Sequence, residues 1–156
     1  LQNSLRKEKL GLISPFADGG ELNYKLQERA TKFVEKNKSR IWRDRYDFSC
    51  AIMPRTTFEK NGFFDENYII GGYEDTDYCY NLKKHHMEFG ISGAAFIHHY
   101  GSRTLGEFKA KGDQHATINR NYFVSKWGED PSDITKTLDY KLLQGWRKFR
   151  LKWDFM

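Results

Sequence analysis

The alternation of short apolar runs with longer helical stretches constrains this chain most. Three runs rich in apolar residues, within 10–20, 46–53 and 89–99, are each followed by a segment with helical spacing or a helical turn. LGLISPFADGG (10–20) reads as a short strand and a turn, because Pro15 and Gly19-Gly20 break any helix. Residues 21–38 read as a helix, with Leu22, Leu26, Ala30, Phe33 and Val34 at helical spacing. KNKSRIWRDR (36–45) reads as a basic connector and YDFSCAIM (46–53) as a strand. Pro54 opens a short helical turn that Asn61-Gly62 ends, and a loop follows. Residues 74–88 read as a helix, 89–99 as a strand, and 113–127 as a helix stopped by Gly128. A last helix is expected over 132–152. The pattern predicts an α/β layered fold with too few strands for a complete doubly wound domain.

The 156 residues suffice for one domain with a core. Aromatics make up 16% of the chain, far from a disordered composition, and suit either a core or a sugar-stacking surface. The formal net charge of +5 allows an anionic partner, yet no nucleic-acid motif is present, so no nucleic acid is expected. Cys50 and Cys79 form no Cys-x-x-Cys pair and read as small buried hydrophobes in a reducing compartment. No run of 18 apolar residues offers a membrane span. The chain starts at Leu1 rather than Met, which suggests excision from something longer or a missing disordered beginning.

GGYEDTDYCYNL (71–82) concentrates the chemistry, with Glu74, Asp75 and Asp77 within four positions. Acids in a first helical turn are stabilised by free N–H groups and the helix dipole, which is the simplest account of all three. A calcium loop counted from Asp75 fails, because its fifth, sixth and twelfth positions hold Cys79, Tyr80 and His86. Asp75-Thr76-Asp77 has the Asp-x-Asp form that holds a cation on a nucleotide diphosphate. It follows Gly71-Gly72-Tyr73 rather than an apolar strand, so it is not read as a primary metal site.

The ordered set around it is more specific. Arg55 and Phe58 precede Gly62-Phe63-Phe64-Asp65-Glu66; Glu74-Asp75-x-Asp77 opens a helix; a strand ends at His98, and Gly101-Ser102 follow. With NRNYFVSKWG (119–128), this order resembles the C-terminal half of a family 2 glycosyltransferase of the GT-A fold, over residues 1 to about 130. The resemblance implies a partial GT-A-like, Rossmann-like layered domain over 1–130, with a C-terminal helical extension. It implies an inverting enzyme of polysaccharide or glycan synthesis that moves a sugar from a nucleotide-diphosphate donor to a glycan or lipid-linked acceptor hydroxyl. Asp75 would be the general base, and Glu74 would support it or bind the acceptor. Tyr73, Asp77 and Arg103 are candidate substrate contacts, although Asp77 also reads as structural and Arg103 as solvated surface. His98 is a candidate metal or diphosphate ligand. Its neighbour His99 points to the other face of the strand, so only one of the two can face a site.

A helix start tends to lower the pKa of Asp75 and desolvation by Tyr73 and Tyr78 to raise it, a balance the sequence leaves open. A divalent cation, Mg or Mn, is expected with its main ligands upstream of this chain, and the isolated fragment is expected to be inactive. Residues 131–156 form a basic tail. Within it, KLLQGWRKFRLKWDF (141–155) sets Leu142, Trp146, Phe149 and Trp153 on one stripe, for an anionic membrane surface or for packing on protein. A cytoplasmic protein, peripheral at the inner membrane face, is the corresponding expectation. The alternative is a non-catalytic module that uses the same half-fold to hold a carbohydrate or a partner.

Overall fold

The computed structural model describes residues 1–19, 25–100 and 114–130. They form a mixed α/β structure: α1 (Gln2–Glu8), β1 (Leu12–Gly19), α2 (Leu26–Asn37), β2 (Ile41–Arg43), α3 (Arg55–Asn61), α4 (Glu74–Lys84), β3 (Phe89–His99) and α5 (His115–Trp127). The three strands make one sheet in the order β1-β3-β2. β1 and β3 run parallel, from Leu12 opposite Phe89 to Gly19 opposite His99, while β2 joins β3 antiparallel. Both parallel strands therefore end on one edge, where open α/β sheets bind ligands.

Leu12 and Phe89 pair at the start of the sheet and pack with Tyr78, Cys79 and Leu82 of α4. Burying these side chains removes large apolar areas from water and fixes α4 on the sheet. Leu5, Leu10 and Ile13 form a second cluster beneath α1. Against α2, the rings of Phe16 and Phe96 both meet Phe33, with centroids 4.3 and 5.5 Å away. The β1–β3 register shifts between Pro15 and Phe16. Gly93 lies in the β3 stretch that this shift skips, and a Cβ there would fall 2.2 Å from the Asn37 carbonyl oxygen. The close approach of α2 to β3 requires that glycine.

Three expectations are corrected. Residues 46–53 are not a strand; only Ile52 bridges, to Ile13, by bonds of 3.0 and 2.9 Å. Asp47 accepts the Ser49 N–H at 2.9 Å through Oδ1, and its own N–H reaches Ser14 Oγ at 3.1 Å. This local side-chain turn competes with strand pairing. Conversely, the connector 36–45 contains β2, whose Ile41 and Trp42 pair with Ser92 and Ile91. α4 also stops at Lys84 rather than 88, with His86 left-handed at φ 55°. Among the described residues, no helix is long and apolar enough to cross a membrane. The tail 131–156 lies outside the described residues.

Candidate functional site

The site begins with a strained approach to α4. Ile70, Gly71, Gly72 and Tyr73 all have positive φ, at 63°, 143°, 96° and 75°. Glycine tolerates this region, but a β-branched isoleucine there is a genuine outlier. Asn119 of α5 holds the segment. Its Nδ2 lies 2.9, 3.2 and 2.9 Å from the carbonyl oxygens of Ile69, Gly71 and Gly72, and its Oδ1 accepts the Ile69 N–H at 3.0 Å. Asn119 is fully buried, so its contacts stand in for water at the Ile69 N–H and the Gly71 and Gly72 carbonyls, while the Ile69 carbonyl also accepts the Gly71 N–H at 2.7 Å. Within NRNYFVSKWG, nothing in the sequence distinguished this asparagine from an exposed helical one.

Asp77 locks the first turn of α4 from below. Its buried carboxylate accepts from Tyr68 Oη at 3.0 Å, Trp127 Nε1 at 2.6 Å and Lys126 Nζ at 2.9 Å. Lys126 also donates to Asp65 at 2.6 Å, and Asp65 accepts Tyr122 Oη at 2.9 Å and the Asn67 N–H at 3.0 Å. Burial works to raise the Asp65 pKa, but the Lys126, Asn67 and Tyr122 bonds outweigh it and hold the carboxyl well below the usual range. Lys126 moves the other way: burial pulls it down, and its bonds to Asp65 and Asp77 carry it above its ordinary value. Asp77 is thus a buried structural anchor, its carboxylate taken up by Tyr68, Trp127 and Lys126. The Gly-Phe-Phe-Asp-Glu segment joins it through Asp65, which shares Lys126 with Asp77.

With the loop and helix fixed, Glu74 and Asp75 open on a cleft of about 400 Å³, which also exposes Tyr46, Asp47, Phe48, Ser49 and His99. Asp75 Oδ1 accepts the Thr76 N–H at 2.7 Å, and Thr76 Oγ1 lies 2.7 Å from Tyr46 Oη. Burial pushes the Asp75 pKa up, the Thr76 bonds pull it down, the nearby Asp47 charge adds to the rise, and the net direction is upward. The balance left open by the sequence thus falls on the side of desolvation. Tyr46 is likewise raised, by burial and then by the Asp75 charge, and stays a neutral hydroxyl. Glu74 Oε2 is shielded from solvent and has no hydrogen-bond partner among the described residues.

The remaining expected residues separate. Asp18 pairs in register with His98, and its carboxylate meets Arg29 of α2 at 2.6 Å. Phe16 and Phe96, one step earlier on the same face, also pack on α2. His98 therefore lies on the α2 face of β3, and His99 is the histidine that lines the Asp75 cleft. Both His98 ring nitrogens are shielded and unpartnered among the described residues. Tyr73 turns to α5, its ring 5.8 Å from that of Phe123. Arg103 lies outside the described residues. Sequence reasoning missed Tyr46, Asp47, Phe48 and Ser49, which a strand reading would have spread over two faces.

Among the described residues, no three His, Cys, Asp or Glu side chains come together as a possible metal-holding group. The described donors do not fit a divalent cation on their own. A comparison of the chain with protein-family models, with curated proteins and with solved structures finds no match.

Proposed function

We propose that this chain carries the acceptor side and the catalytic base of an inverting glycosyltransferase that uses a nucleotide-diphosphate sugar. The observation that supports this best is the Asp75 carboxylate: it lines an open cleft at the start of α4, beside the ends of two parallel strands, and is partly stripped of water. A base must be ionised at working pH, yet bind a proton well enough to take one. A pKa raised above the ordinary 3.8 suits that task.

On this reading Oδ1 stays tied to the Thr76 N–H and Oδ2 takes the proton of the acceptor hydroxyl. The acceptor oxygen then attacks the anomeric carbon as the bond to the nucleotide diphosphate breaks on the opposite face, which inverts the centre. Glu74 hydrogen-bonds acceptor hydroxyls beside the base. Asn119 and Asp77 act through the loop and helix that hold Asp75, and are positioning residues. The donor's nucleotide and diphosphate fall to a binding half contributed by the parent protein.

The test is acceptor-dependent release of nucleoside diphosphate by the parent protein. Asp75→Asn, with folding intact, is expected to lower turnover by about 10²–10⁴-fold. Full activity in that variant would remove the base assignment. Saturable glycan binding without donor-dependent transfer by the wild-type parent would replace the enzyme reading with the binding-module one.

A further inference from the structure

A second groove opens at the start of β1, between α1 and the 52–56 segment. Ile52 of its lining bridges Ile13 near the beginning of that strand, whereas His99 of the Asp75 cleft ends β3. Its volume of about 620 Å³ falls within the roughly 300–1,000 Å³ of small-ligand sites. Leu5 and Leu10 form a buried floor, and the half-buried Ile52, Met53 and Pro54 form an aliphatic wall. The charged side chains of the lining are Arg6 and Lys9, both exposed at the rim. Gln2 and Thr56 supply its other polar groups, and no acid lines it.

Arg6 and Lys9 make no ion pair among the described residues. The acids nearest to this lining in sequence are taken by other arginines: Glu8 meets Arg43 at 3.0 Å, and Glu59 meets Arg55 at 3.1 Å. Both cations complement the carbonyl end of α1, which accounts for their sign but not for the aliphatic wall beside them.

The combination discriminates among occupants. A nucleobase or a pyranose stacks on an aromatic face, and no aromatic ring lines this groove. A small inorganic anion would leave the aliphatic wall against water. An anionic bilayer is entered by apolar side chains that protrude, and the exposed large apolar residues among the described ones, Phe63 and Ile70 foremost, are not in this lining. The apolar groups here are recessed instead. A single aliphatic chain with an acidic head meets every condition, because the chain covers the wall and the head reaches the cations at the rim. We infer that this groove binds a monomeric anionic amphiphile, an alkyl carboxylate, with Arg6 and Lys9 as its head-group contacts and Ile52, Met53 and Pro54 along its chain. The groove is separate from the Asp75 cleft, so its ligand is independent of the transferase reading.

The experiment is calorimetric titration of the full chain near neutral pH and at low salt. The probes, kept below micelle-forming concentrations, are dodecanoate, dodecyltrimethylammonium and acetate. Dodecanoate is expected to bind at one saturable site, the cationic amphiphile roughly tenfold more weakly, and acetate without saturable heat. Two exposed cation–carboxylate contacts of ordinary strength predict that Arg6→Gln/Lys9→Gln, checked for folding by circular dichroism, weakens dodecanoate roughly five- to tenfold. The charge-reversed Arg6→Glu/Lys9→Glu variant should prefer the cationic amphiphile. Equal binding of the two amphiphiles by the wild-type chain, or dodecanoate binding that either double variant leaves unchanged, overturns the inference. Sedimentation with phosphatidylglycerol vesicles covers the membrane source. Vesicle binding that the glutamine variant loses, with no saturable dodecanoate binding by wild type, would give these cations to a bilayer and overturn it as well.

Discussion

Asn119→Ala is the perturbation whose size the structure states most clearly. Asn119 makes four polar contacts with the loop: three from Nδ2 to carbonyl oxygens and one from Oδ1 to the Ile69 N–H. An amide nitrogen has only two hydrogens, so the three carbonyls share two donors and the contacts amount to about three full bonds. At about 1 kcal/mol net for each, the loss is about 3 kcal/mol. Ile69 and Ile70 are 42% and 54% exposed, so part of the freed backbone can reach water, which lowers the expected cost to about 2–3 kcal/mol. Urea unfolding followed by far-ultraviolet circular dichroism reads this directly, and hydrogen exchange should show faster opening at residues 69–73. Asn119→Asp is the sharper variant. It keeps the shape but sets a carboxylate against three carbonyl oxygens, so it should cost more than alanine near pH 7 and recover as acid protonates it. An alanine variant within about 0.5 kcal/mol of wild type, or an aspartate variant milder than alanine, would refute the clamp.

Three further outcomes follow from the same contacts. Because the folded pKa of Asp75 lies above its ordinary 3.8, the ionised carboxylate costs stability; that cost is complete above the folded pKa and vanishes as pH falls to the ordinary value. Asp75→Asn should therefore raise the urea midpoint near pH 7, with no gain below about pH 4; a lower midpoint near neutrality would count against the desolvation. Asp65 has the opposite sign: its depressed pKa contributes stability that is present above the ordinary value of 3.8 and lost as pH falls toward the folded pKa. Lys126→Met, which strips the cation from the buried Asp77 and from Asp65, should cost about 2–3 kcal/mol by denaturant titration at neutral pH, and an unchanged midpoint would refute the anchor. Gly93→Ala should cost about 2 kcal/mol or more, because its Cβ would overlap the Asn37 carbonyl; a neutral result would mean that α2 can retreat from β3 without penalty.

The parts of this fold that local sequence determines were legible, and those set by distant partners were not. β3 over 89–99 and the stop of α5 at Gly128 follow from an apolar run and a left-handed glycine, and the structure has both there. β2 is only three residues long, too short to show a period, and exists because β3 offers it an antiparallel edge. The 46–53 segment has strand composition, but Asp47 folds back on Ser49 and turns Tyr46 and Phe48 toward the cleft. The different surroundings of the three acids were partly legible: Asp77 read as structural as well as a candidate substrate contact, and the structure buries it. Its partners, Tyr68, Lys126 and Trp127, lie 9, 49 and 50 positions away, beyond the reach of any local pattern. The choice between His98 and His99 needed the pairing of β3 with β1, because it depends on which face of the strand meets α2.

The central claim is that Asp75 removes the acceptor's proton, and the pH dependence of turnover tests it most directly. The measurement is kcat for acceptor-dependent sugar transfer by the parent protein, wild type and Asp75→Asn, at saturating acceptor across the acid range. Wild type should show a rate that rises with pH through a single ionisation above the ordinary carboxylate value of 3.8, as the raised pKa of Asp75 requires. The asparagine variant should be slower by orders of magnitude and should lack that limb. An asparagine variant that keeps both the rate and the limb would contradict the account.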